Sequence, residues 1–148
     1  MEIVLYQPDI PQNAGNIART CSVIGAKLTM VAPLGFSLAA RHLKRSGLDY
    51  WNDLTLQVID DLEGYLLAEN RPFYFFSSKA KKEYTDLIYP PDPILIFGSE
   101  SAGLPEKYWE KWEERFLKIP MKPGARCLNL ATSVGIAVYE PIRQEKFS

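Results

Sequence analysis

Apolar residues in this chain fall into short blocks divided by polar, proline- or glycine-bearing stretches, and the spacing inside the blocks alternates between strand and helix periods. Ile3-Val4-Leu5-Tyr6 opens the pattern as a strand, and a turn-like stretch with Pro8 and Pro11 follows it. From Asn13 to Gly25, Ile17, Val23 and Ile24, with Ala14, Ala18 and Cys21 between them, fit a helix buried on one face and capped by Asn13. Lys27 to Ala32 and Leu54 to Ile59 read as strands, with Asp60 capping a helix over Asp61 to Glu69. Phe73 to Phe76 and Ile94 to Phe97 are apolar at every position, the signature of central strands in a parallel sheet covered on both faces. A helix starting at Pro105 and amphipathic through Tyr108, Trp109 and Trp112 leads to a strand at Phe116 to Ile119. A last helix starts near Asn129 and runs toward Tyr139, where Pro141 is expected to end or kink it, because proline lacks the N–H that the helix ladder needs. Strands alternating with helices predict an α/β fold, a mostly parallel sheet with helices on both faces and ligand sites at the carboxyl ends of the strands.

At 148 residues the chain has the size of one domain, and a single unit spanning 1–148 is expected. No apolar run approaches the roughly 20 residues of a membrane span, and the short apolar start lacks the features of a signal sequence, so a cytoplasmic location is expected. Two cysteines, Cys21 and Cys127, are too few for a disulfide framework and read as buried or backbone-anchored thiols; with His42 as the sole histidine, no metal site is expected. A net charge of -1 argues against a protein that coats nucleic acid by bulk charge. Any nucleic-acid contact must be local, and local basic clusters do exist, at Arg41, His42, Lys44 and Arg45 and again at Lys79, Lys81 and Lys82, although most such clusters are simply solvated faces.

Chemistry concentrates in three segments that each follow a strand. In Pro11 to Thr20, Asn16 and Arg19 project from one face of the first helix, three residues apart. In Ile94 to Pro105 a buried strand runs into a loop with Gly98, Glu100 and Gly103, where glycine admits close approach to the main chain and a carboxylate can accept N–H groups. This loop is neither a dinucleotide GxGxxG nor a phosphate-binding GxxxxGK[ST]. In Ile119 to Leu130, Pro120, Pro123 and Gly124 shape a long connection and Asn129 can cap the helix behind it.

Together the segments resemble the three motifs of the SpoU/TrmH-type (SPOUT) RNA 2'-O-methyltransferases, in the same order and over nearly the whole chain: Asn13-x-Gly-Asn-Ile-Ala-Arg19-Thr20, Gly98-x-Glu100-x-x-Gly103-Leu-Pro105, and Ile119-Pro120-Met121 through Arg126-x-Leu128-Asn129-Leu130. The stretch Leu43 to Trp51 is similar to the minimal TrmL/YibK group, whose members methylate the ribose of the tRNA wobble nucleotide. The resemblance implies a C-terminal deep trefoil knot, S-adenosylmethionine as methyl donor with S-adenosylhomocysteine as product, and no metal. It implies cofactor contacts at Phe76, Gly98, Ile119, Met121, Cys127 and Leu128, and catalytic positions at Arg19, Asn13 and Glu100, with Glu100 organising the loop by accepting N–H groups from the knot. It implies a homodimer built on the first and last helices, which gathers Arg41, Lys44, Arg45 and Lys79 around a tRNA anticodon stem-loop, with Tyr139 stacking on a base or packing at the interface. The chain departs from the family where Cys127 replaces the usual serine, where Ala131-Thr132-Ser133 replaces Ser-Asn-Ala, and at Pro141. A knotted RNA-binding protein without turnover and a ribosomal-RNA methyltransferase of the same class are the alternatives.

Overall fold

The computed structural model describes residues 1–39 and 53–147. The cluster Arg41, His42, Lys44 and Arg45, and the Leu43 to Trp51 stretch, lie outside the described residues. Seven strands form one sheet: β1 (Glu2–Tyr6), β2 (Lys27–Val31), β3 (Leu56–Ile59), β4 (Phe73–Phe76), β5 (Lys82–Glu83), β6 (Ile94–Phe97) and β7 (Phe116–Lys118). Their spatial order is β3-β2-β1-β6-β4-β7-β5, and every pairing is parallel. The described helices are α1 (Pro11–Ile24), α2 (Leu62–Ala68), α3 (Glu106–Trp112), followed by a 3-10 turn at Glu113–Arg115, and α4 (Leu130–Phe147).

The period of two along each strand sorts the core into two layers. Ile3, Leu5, Leu28, Met30, Leu95 and Phe97 face α1 and α4, whereas Val4, Ile94, Ile96, Phe73 and Phe75 face α2 and α3. Small residues let α1 and α4 pack closely: Ala14, Ala18 and Cys21 meet Ala137, Val134 and Val138. The opposite layer is aromatic, with Phe75 stacked on Phe116 at 4.7 Å between ring centres and Phe73 edge-on to Trp112 at 5.1 Å. This is the mostly parallel, doubly covered sheet that the all-apolar runs at Phe73 to Phe76 and Ile94 to Phe97 predict.

Several local expectations need correction. Asn13 is not the cap of α1: Pro11 occupies the first helical position, where its missing N–H costs nothing, and Ile10 is the capping residue with no side-chain bond of its own. Val23 points to solvent instead of joining the core. The cap of α2 is Asp61, which accepts from the Gly64 N–H at 3.1 Å, and not Asp60. The two-residue edge strand β5 is too short for any sequence period to reveal. α4 continues past Pro141 to Phe147. Its second half is held from outside the helix: the Gln144 amide donates to the Leu87 carbonyl at 2.8 Å and accepts from the Tyr89 N–H at 2.9 Å.

Candidate active site

At the carboxyl ends of β4, β6 and β7 the backbone runs out of ladder partners and opens into a cavity of about 400 Å³, within the range usual for small-molecule sites. Phe76 and Phe97 form its floor, stacked at 4.8 Å. Ile119, Met121 and Leu128 supply apolar wall, while Ser77, Ser78 and the Gly98-Ser99 backbone supply polar groups. Such a mixture suits a ligand with a flat apolar part and several hydrogen-bonding atoms.

Gly98 is required here by space. A Cβ at this position would lie 2.4 Å from the carbonyl carbon of Gly103 and 2.7 Å from its Cα, both backbone atoms that cannot give way. The close approach lets Ser99 and Gly103 exchange backbone bonds, Gly103 N–H to Ser99 carbonyl at 3.0 Å and the reverse at 3.3 Å. This narrow loop carries Glu100 outward to the start of α1.

Glu100 accepts the Asp9 N–H at 2.7 Å, the Ile10 N–H at 3.2 Å and the Asn13 side-chain amide at 3.3 Å. The carboxylate therefore caps α1 from 90 residues away, where the helix supplies orphan N–H groups and a partial positive charge. Asp9 returns the link by accepting from the Ser101 hydroxyl at 2.5 Å and the Ser101 N–H at 3.2 Å. The donors of Glu100 thus lie at the start of α1, on Asp9, Ile10 and Asn13, and not in the third segment.

Asn13 is buried and extends the chain of bonds. Its carbonyl oxygen accepts from the Asn129 amide at 2.9 Å, and the Asn129 oxygen accepts from the Thr132 N–H at 3.2 Å, capping α4 as the sequence predicts. The amide orientations follow from chemistry. A backbone N–H only donates, so the Asn129 oxygen must face Thr132; its NH2 then faces Asn13, whose own NH2 must face the acceptor Glu100. One directed relay, Glu100 to Asn13 to Asn129 to Thr132, joins all three chemistry-bearing segments beside the cavity.

Of the positions expected from the sequence, Phe76, Gly98, Ile119, Met121, Cys127, Leu128, Asn13 and Glu100 all line this cavity. Cys127 is exposed there, with its sulfur 3.7 Å from the Ser78 hydroxyl, so the expectation of a buried or backbone-anchored thiol holds only for Cys21, whose pKa burial pushes up to about 12. Arg19 does not line the cavity of its own chain. It stands on the exposed face of α1 with Asn16 and Val23. Lys79 is exposed at the rim, directly after Ser78, and Tyr139 is exposed on α4, away from the cavity wall. Sequence reasoning missed Ser77 and Ser78, for which the only signal is a hydroxyl pair following an apolar strand, and treated Asn129 merely as a cap.

The family model described as the SpoU rRNA Methylase family matches residues 1–139. The chain belongs to that family. A relative from Methylovorus glucosotrophus named tRNA (cytidine(34)-2'-O)-methyltransferase is 38% identical over 149 residues, covering 99% of this chain and 97% of its own. A solved structure described as giving structural insights into the 2-OH methylation of C/U34 on tRNA is 42% identical with a TM-score of 0.89, covering 99% of this chain and 97% of that one. The SpoU methyltransferase AviRb from Streptomyces viridochromogenes, in complex with the cofactor AdoMet, shares the fold at 21% identity and a TM-score of 0.84, with 100% of this chain matched to 58% of that one.

Proposed function

We propose that the chain transfers the methyl group of S-adenosylmethionine to the ribose 2'-hydroxyl of the tRNA wobble nucleotide, cytidine or modified uridine, and works as a cytoplasmic homodimer. The observation that carries this reading is the meeting of all three family motifs around one cavity through the Glu100-Asn13-Asn129 relay. No helix among the described residues is long and apolar enough to cross a membrane.

The cavity fits the cofactor in three respects: stacked phenylalanines and aliphatic wall for its apolar parts, main-chain groups laid bare at Gly98, and a volume of about 400 Å³. Phe76, Gly98, Ile119, Met121, Cys127 and Leu128 would hold it. When bound, S-adenosylmethionine supplies a methyl carbon on a positively charged sulfur, open to attack from the side opposite that sulfur. In this reading the segment around Met121 to Asn129 is the threaded part of the family's trefoil knot.

A guanidinium donates hydrogen bonds and accepts none, so Arg19 is no general base. Its role is to grip an RNA phosphate and to stabilise negative charge as it develops on the 2'-oxygen, with the reacting atoms held in line at roughly 3 to 3.5 Å. Since Arg19 stands outside the cavity of its own chain, a second copy must bring it there. The exposure of the apolar residues Val23 on α1 and Ile136 and Tyr139 on α4 supports a dimer interface on those faces. Lys79 at the rim, with Arg41, Lys44 and Arg45, contacts the anticodon stem-loop.

The test is transfer of label from S-adenosylmethionine to total tRNA of a strain lacking this gene, with nucleoside mapping. We expect a 2'-O-methyl nucleotide at the wobble position, and its loss with Arg19→Ala. Cofactor binding without transfer to any RNA would overturn the assignment.

A further inference from the structure

The mouth of the cavity has a second basic side, formed by the segment that follows β7. Lys122, Pro123, Gly124 and Ala125 make a β-turn, closed by the Ala125 N–H on the Lys122 carbonyl at 3.2 Å. Proline at its second position and a glycine with φ of +77° at its third are the type II pattern, which presets the backbone and stiffens the turn. Lys122 stands at one shoulder and Arg126 just past the other, both exposed. Each neighbours a cavity-lining residue, Met121 and Cys127 respectively, just as Lys79 follows the lining residue Ser78. The contact of Ser78 with Cys127 brings the Lys79 and Arg126 segments together across the mouth.

Charge pairing and place together set these cations apart: among the described residues Lys82, Lys107, Arg115, Lys118 and Lys146 also lack a carboxylate within ion-pair distance, but none of them is both exposed and next to a residue lining the cavity. Arg71 binds Glu2, Glu69 and Asp92; Lys111 binds Glu63 at 2.5 Å; Arg143 binds Glu140 at 2.8 Å; even Lys81 lies 4.0 Å from Glu113. Among the described residues no carboxylate lies within ion-pair distance of Lys79, Lys122 or Arg126. Glu100, the carboxylate lining the same cavity, is already taken by the N–H groups of Asp9 and Ile10 and the Asn13 amide. In a protein of net charge -1, positive charge left unmatched around one opening is a local field for an anion larger than the cavity itself.

We propose that Lys122 and Arg126, with Lys79 across the mouth, form a phosphate-gripping rim that holds the RNA backbone on either side of the nucleotide whose ribose enters the cavity. This rests on the reading of the chain as an RNA ribose methyltransferase. The rim contributes affinity and register without reading bases, because lysine and arginine on phosphates carry no sequence information. It also places two RNA contacts on the segment that walls the cofactor cavity.

The experiment measures binding of bulk tRNA to the full-length protein over a series of salt concentrations, for wild type, Lys122→Ala/Arg126→Ala and Lys122→Arg/Arg126→Lys. Removing the two cations should weaken binding by roughly tenfold and flatten the slope of log affinity against log salt by about 1.5 to 2. The charge-keeping pair should retain the wild-type slope, which a merely structural turn would have no reason to follow. Calorimetry with S-adenosylmethionine alone should give the same affinity for all three proteins. An unchanged salt slope in the double alanine variant, beside normal wild-type binding, would overturn the rim and leave the methyltransferase reading intact; so would a parallel loss of cofactor affinity, which would place the cations on the cofactor. Wild-type protein that ignores tRNA would defeat that reading and the rim with it.

Discussion

A methyl group on Gly98 has nowhere to go, because the Gly103 backbone occupies its place at 2.4 Å. Gly98→Ala must spread the loop that carries Glu100, so we expect a loss of about 1–3 kcal/mol in stability, the usual cost of overpacking. We also expect weaker cofactor binding, since the cavity wall moves with the loop. Denaturant unfolding and calorimetry read the two effects, and wild-type values in both would refute this account of the glycine. The motif residues and their chemical types were legible from the sequence at this scale, but not their partners. Asn13 looked like a cap because asparagine before an apolar helical period usually is one; it is drawn instead to Glu100 and Asn129, which lie 87 and 116 residues further along the chain.

Among the elements, α1 and α4 share one solution to the problem of helix ends: both are capped by side chains of the same relay, so their amino termini are fixed relative to each other at the cavity. α4 raises a second question, since Pro141 removes a helical N–H and such a break costs about 3 kcal/mol in an isolated helix. Burial of Val138 and Pro141 and the clamp of Gln144 on the 87–89 backbone offset it. Gln144→Ala would leave the Leu87 carbonyl and the Tyr89 N–H without their partner, at a cost of about 1–3 kcal/mol. Amide exchange at Tyr89 should quicken with no change at β1 or β6; unchanged protection at Tyr89 would show that the clamp is incidental. Strand runs such as Ile94 to Phe97 were legible because burial on both faces writes itself as continuous apolar sequence. The persistence of α4 was not, because the groups that hold it are more than 50 residues away.

For the whole molecule, the position of Arg19 on the outer face of α1 leads to a test of shared sites. If each cavity is completed by the partner's Arg19, then Arg19→Ala and Gly98→Ala chains, each silent alone at a cofactor concentration too low to fill the weakened Gly98→Ala cavity, regain activity when unfolded and refolded together. Random pairing makes half the dimers mixed, each with one intact composite site, so about a quarter of wild-type transfer should return. No recovery, with mixed dimers present by mass, would place Arg19 in the cavity of its own chain. The seven-stranded order also puts charge at the opposite end of the sheet from the cavity: Glu2 is fully buried and accepts from Thr29 at 2.5 Å, Tyr65 at 2.7 Å and Arg71. That cluster steadies the amino-terminal ends of the strands and leaves the carboxyl ends to the ligand.

The sequence by itself determined the class of fold, the described strands other than β5 and the described helices other than the end of α4 to within a few residues, and the three segments that meet at the cavity. These properties depend on near neighbours, on hydrophobic period, and on residue types that few other sites combine. The tertiary structure alone decided that Glu100 caps α1, that Asn13 and Asn129 orient each other, that Gly98 is pinned by Gly103, that Arg19 stands outside its own cavity, and that α4 outlasts its proline. Each of those depends on where a group distant in sequence, or on the far side of a fold, comes to rest once the sheet has assembled.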